Sequence, residues 1–193
     1  MRTKAFLLLV LTSALSPAIA SAQIVVPPVP SNLEVPAGRQ PYLFIGAEGT
    51  QNYVCMASPA SNGFAWTFFG PQATLFLRDG QQIATHYLSS NPVDGAARAT
   101  WQHSADSSKL WAVAKASSSD GAFVAPGSIP WLLLEVVGED FGSNGLPGVF
   151  AGTTHIQRVL TSAGTAPIEG CKSAKDVGKK ALQPYTTFYV FYR

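Results

Sequence analysis

Short β-like runs separated by turn residues constrain this chain more than any other feature. Residues 42–45, 52–57, 64–69, 73–78, 82–87, 100–103, 110–115, 130–137, 149–160 and 185–192 are rich in aromatic and β-branched side chains, and clusters of Gly, Ser, Asn and Asp stand between them. Most show the period-two alternation of a strand with one buried face. Only residues 173–182 look helical: Ser173 followed by Asp176 forms a capping box, and Gly178 weakens the segment. About ten short strands with at most one short helix predict an all-β single domain, a β-sandwich or a barrel. Asp79-Gly80 lies between two of the runs, a pair that predicts a type I′ hairpin turn.

The chain ends set the compartment. Arg2 and Lys4 precede an apolar stretch over 5–15, and Ala20-Ser21-Ala22 forms a small-residue box before Gln23. Residues 1–22 therefore read as a secretory signal peptide, residues 23–40 as a Pro-rich extended lead-in, and residues 41–193 as the single β domain. Export predicts a disulfide between Cys55 and Cys171, the only two cysteines. The destination is periplasmic or extracellular. No cysteine stands near the cleavage box for a lipid anchor, and no Asn-X-Ser/Thr acceptor follows Gln23, which favours a bacterial exported protein.

Cleavage removes Arg2 and Lys4 from the 13 Lys and Arg, leaving 11 against 11 Asp and Glu. A neutral, sparsely charged chain lacks the basic excess of a nucleic-acid binder. The lysines at 172, 175, 179 and 180 read as a solvated surface. The most apolar later run, 129–137, is interrupted by Glu135 and falls far short of the ~20 residues of a membrane-spanning helix.

Catalytic signatures are absent. The chain has no Gly-X-Ser-X-Gly elbow, phosphate loop, His-Glu-X-X-His or dinucleotide fingerprint. Residues 140–145 are only a faint match to a calcium loop, with Ala151 where the bidentate Glu belongs. No metal and no cofactor is expected. His86, His103 and His155 are the only histidines, and their spacing fits no ligand motif. Of the four tryptophans, Trp66 and Trp131 read as core, and Trp101, which follows a polar loop, is the one most readily placed at a cleft, although packing is the favoured reading there too. Arg158 shares its parity face with Ile156 and Leu160, and Glu135 shares one with Trp131 and Leu133. Either the two form a buried ion pair, or each points to solvent at a sheet edge.

The chain resembles a family of secreted bacterial and fungal proteins known as domain of unknown function 3455. The resemblance runs from Pro30 to Tyr192 and rests on Thr50-Gln51-Asn52-Tyr53-Val54-Cys55, Ala73-Thr74-Leu75-Phe76, His86-Tyr87, Ile129-Pro130-Trp131, Ile156-Gln157-Arg158 and Gly170-Cys171. Two positions depart from the family pattern: Arg98-Ala99-Thr100 stands where Gly-Pro-Thr is usual, and Asp106-Ser107-Ser108 where Asp-Gly-Ser is usual. The resemblance implies export and this fold, and no reaction or ligand.

These features favour a non-catalytic exported β-domain that binds a small ligand, glycan or envelope protein, with His86, Tyr87, Trp101 and Asp106 as the candidate surface and Arg158 as a candidate binding residue. One alternative is a secreted hydrolase or metal-dependent enzyme using His86, His103 or His155 with Asp106. Another is a structural or stress-related envelope protein.

Overall fold

The structure is a computed structural model that describes residues 24–59 and 63–193. The expected signal peptide lies outside the described residues. Among those described, eight antiparallel strands form a closed barrel in sequence order. They are β1 (Pro41–Ser58), β2 (Gly63–Phe76), β3 (Gln82–Ser90), β4 (Ala97–His103), β5 (Lys109–Ser118), β6 (Trp131–Asp140), β7 (His155–Ala163) and β8 (Lys180–Tyr192). Each pairs with the next, and β8 closes on β1 from Pro41–Tyr192 to Val54–Lys180. Closure leaves no free sheet edge.

Eight strands replace about ten runs because two pairs of runs fuse. Runs 42–45 and 52–57 are one strand, with a bulge at Asn52/Tyr53. Runs 64–69 and 73–78 join through Gly70-Pro71 opposite that bulge. The run 149–160 is shorter than expected. Strand β7 begins at His155, and Phe150 turns into the barrel and stacks on Phe191 with ring centroids 5.2 Å apart. The helical pattern near 173 yields one 3-10 turn, Ala174–Asp176, with the Ser173–Asp176 capping box formed. Gly178 takes a positive φ, and the chain re-enters the sheet at Lys180. No helix of the described residues is long and apolar enough to cross a membrane.

The β2–β3 turn also differs from expectation. A type I′ turn needs positive φ at both central residues. Only Gly80 has it, at +85°, and Asp79 does not. The Gly80 amide donates to the Leu77 carbonyl (3.0 Å) and the Leu77 amide to the Gln81 carbonyl (2.9 Å), so this is a three-residue loop ending in a glycine bulge.

Two apolar layers follow from strand alternation. Inward-facing Ile45, Leu75, Ala84, Leu110, Ile156 and Phe191, with Phe150 from the β6–β7 connection, fill one end of the lumen. Outward-facing Trp131, Leu133, Val159, Val190 and Tyr192 form a second cluster, covered by Leu33, Val26, Val29 and Val35 of the lead-in and by Phe123 and Val124. The Pro-rich segment thus lies as a strap across the barrel wall. Gln157 fixes it: its Nε2 donates to the Leu33 carbonyl (2.7 Å), and its Oε1 accepts from the Tyr192 hydroxyl (2.5 Å).

Cys55 and Cys171 form a disulfide that ties the end of β1 to the β7–β8 connection. The Trp66 indole donates to the Glu169 carbonyl of the same connection (2.9 Å).

Candidate functional site

The lumen is filled at one end and hollow toward the other. A cavity of about 410 Å³ lies toward the end where β3 turns into β4, within the range of small-molecule pockets. All eight strands line it, through Gln51, Pro71, His86, Trp101, Ala112, Leu134, Arg158 and Tyr189 in strand order. The floor is deeply buried: Gln51 is 3% exposed, Trp101 1% and Tyr189 0%. Phe68 and Leu88 form an exposed apolar rim. The wall opens there for a backbone reason. The β2–β3 ladder runs only from Ala73–His86 to Phe76–Gln82, and Pro71 beyond it has no N–H to extend the pairing.

His86 and Trp101 are directly opposite in the β3–β4 register. Their rings stack at 4.1 Å with a 16° interplanar angle, and Tyr189 meets both edge-on at 5.4 Å. His86 Nδ1 lies 2.9 Å from the Thr100 carbonyl, which can only accept, so the proton sits on Nδ1 and Nε2 carries the lone pair. Burial pushes the His86 pKa down to about 3, against the Thr100 hydrogen bond that raises it, and the Arg158 charge lowers it further. His86 is therefore neutral at physiological pH. Burial raises the Tyr189 hydroxyl well above its usual range, so it too is uncharged.

Two arginines line the cavity, Arg98 and Arg158, and among the described residues only Arg98 of the two is in an ion pair, with Asp94. Arg158 Nε and Nη2 donate to the Pro130 carbonyl at 3.2 and 2.8 Å. The structure does not bring Glu135 to Arg158. In the β6–β7 register Arg158 faces Leu132, two pairs along from Glu135–His155. Glu135 pairs with Lys115 instead, at 2.8 Å in an exposed setting. Of the two readings, the buried Glu135–Arg158 pair does not form, and the solvent reading holds for Glu135 but not for Arg158, which lines the cavity. Sequence parity placed Arg158 on the apolar face correctly and missed that Glu135 lies on the other side of the wall.

Four buried side-chain polar atoms have no hydrogen-bond partner among the described residues: Gln51 Nε2, Arg98 Nε, Trp101 Nε1 and Trp131 Nε1. The first three belong to residues that line the cavity. All three are N–H donors.

Of the other expected residues, Tyr87 alternates with His86, and its hydroxyl donates to Gln102 Oε1 (2.6 Å) away from the cavity lining. Asp106 sits at the opposite end of the barrel, in the β4–β5 turn. Its Oδ2 accepts from the Val149 amide (2.7 Å), and its Oδ1 accepts from the Ser108 amide and hydroxyl (2.8 and 2.7 Å). Burial raises its pKa, but these donors and His103 outweigh that and hold it at about 2. Asp106 is a clamp that fixes the chain beside Phe150. The expected surface of His86, Tyr87, Trp101 and Asp106 is therefore reduced to His86 and Trp101.

The histidines do not converge either. His103 stands beside Asp106 (Nδ1 to Oδ1 3.1 Å), and His155 contacts Thr154 Oγ1 (3.1 Å), both at the end away from the cavity. Among the described residues no three His, Cys, Asp or Glu are grouped to hold a metal. Sequence reasoning overlooked Gln51, Arg98 and Tyr189. Gln51 was legible in principle, as a polar residue at an inward position of a strand that also carries Ile45, Ala47 and Tyr53.

These features define a closed antiparallel β-barrel with an internal polar-floored pocket. The chain belongs to the family described as protein of unknown function (DUF3455), whose model matches residues 36–193. No curated protein and no solved structure matches it.

Proposed function

We propose that this protein is an exported, non-catalytic binding protein that carries or senses a small molecule in the barrel lumen. The observation behind the reading is the cavity itself: a lumen otherwise filled by close-packed side chains keeps about 410 Å³ open, and three residues that line it carry buried N–H groups without protein partners. Buried donors in a native protein are normally satisfied, so such groups around a cavity point to a ligand that completes them. Export fits the leader-like residues 1–22 and the Cys55–Cys171 disulfide, a bond that persists in oxidising compartments.

Titration with N-phenyl-1-naphthylamine, an apolar probe that fluoresces on leaving water, tests the reading. One saturable site is expected. Ala99 lies on the cavity lining, so Ala99→Trp should fill the space and weaken binding at least tenfold while the fold is kept. Absence of saturable binding, or equal binding by Ala99→Trp, would contradict the lumen as the site.

A further inference from the structure

We propose that the lumen site selects molecules with an apolar body and a terminal carboxylate, and that Arg158 recognises the carboxylate. This inference rests on the lumen being a binding site and adds the ligand's chemical class. Three observations on the same cavity carry it.

First, Arg158 brings a positive charge into the barrel without a counter-ion. Among the described residues it takes part in no ion pair, while the other cavity-lining cation, Arg98, is paired with Asp94 at 2.8 Å. The groups that act on the Arg158 charge are Tyr53, Tyr185, Tyr189 and His86, all neutral at pH 7. Arg158 is half-buried in the cavity wall, where an unpaired charge is screened less than in open water, so its place beside the cavity suits an anion.

Second, Arg158 has donors to spare. The guanidinium carries five N–H groups. The Pro130 carbonyl takes two, so N–H groups remain for a ligand oxygen.

Third, donors predominate among the unpartnered groups. Gln51 Nε2, Trp101 Nε1 and Arg98 Nε all donate, and the His86 Nε2 lone pair is the acceptor beside them. The complementary ligand end is therefore an acceptor of several hydrogen bonds. Leu88, Leu132, Leu134 and Phe68 supply the apolar surface for the rest of the molecule. A planar carboxylate matches the guanidinium fork, whereas a neutral hydroxyl would leave the charge unanswered.

The test is calorimetric titration at pH 7 with two probes of one shape, 2-naphthoate and 2-naphthalenemethanol. Wild type should bind the carboxylate at least tenfold more tightly. Arg158→Met should abolish that preference while still binding the neutral probe, because it removes an unpaired charge and keeps apolar bulk. Arg158→Lys should retain part of the preference, since it keeps the charge and loses the fork. Should Arg158→Met fail to fold, the wild-type ratio and Arg158→Lys still decide. Equal affinity of wild type for both probes, or an undiminished preference in Arg158→Met, would overturn the inference and leave the lumen site standing. Binding of N-phenyl-1-naphthylamine with neither naphthyl probe bound would also overturn it. Failure of all three probes would remove the lumen site itself.

Discussion

At the scale of single residues, His86 shows how a buried side chain links fold to pH. In the unfolded chain its imidazole takes a proton near pH 6.5, and in the barrel burial holds it neutral down to about pH 3. Between those values the unfolded state binds one more proton, so acid favours unfolding. The His86 contribution is fully present above pH 6.5 and lessens by on the order of 1.4 kcal/mol per unit as pH falls from 6.5 toward 3. Denaturant unfolding at pH 7 and pH 5 should therefore show a drop of about 2 kcal/mol in wild type that His86→Gln largely lacks. Equal drops in both proteins would mean that His86 is not buried neutral. Two glycine-type positions show what a sequence conceals at this scale. Gly142 has φ of +97°, and a Cβ there would lie 2.1 Å from the Asp106 carbonyl oxygen. The loop that resembles a calcium site thus needs its glycine to pass the Asp106 turn. Ser107 has φ of +62°, in the left-handed region that favours glycine.

At the scale of elements, the barrel was legible as strands and turns but not as register. Period-two patterning marks where a strand runs. It cannot show that Gly70-Pro71 continues one strand or that residues 149–154 leave the sheet, because those outcomes depend on the partner strand. The Asp-Gly signal located the β2–β3 turn correctly, and the turn type differs because one residue was added to the loop. The lead-in is the larger surprise. Its prolines indicate an extended chain, but only the outer faces of β6, β7 and β8 make it a strap. Leu33 is 0% exposed within the outer cluster, and its carbonyl accepts from Gln157. Truncating it leaves a cavity beneath the strap, so Leu33→Ala should lower unfolding free energy by about 2–5 kcal/mol. A loss below about 1 kcal/mol in denaturant melts would show that the strap is loosely held.

At the scale of the whole molecule, one architecture serves two ends. One end of the lumen is closed by Phe150 and its neighbours, held by the Asp106 clamp on Val149. The other stays hollow where β2 and β3 part, and the disulfide and the Trp66–Glu169 contact secure the β7–β8 connection at that end. The sequence showed the ingredients of the site one by one: Trp101 after a polar loop, His86 in a strand, Arg158 on an apolar face. It did not show that closure of β8 on β1 brings Gln51 and Tyr189 to the same cavity, which is a long-range consequence of barrel geometry. The claim that the lumen is the binding site is tested most directly on the Trp101 indole N–H, a buried donor with no protein partner. Nitrogen-15 NMR of the four indoles, with the Trp101 signal assigned by Trp101→Phe, should be recorded during addition of 2-naphthoate. The Trp101 signal is expected to shift strongly, while those of Trp66 and Trp111, already bonded to the Glu169 carbonyl and Ser89 hydroxyl, stay in place. Saturable binding of the probe with the Trp101 signal unmoved would contradict a site inside the barrel.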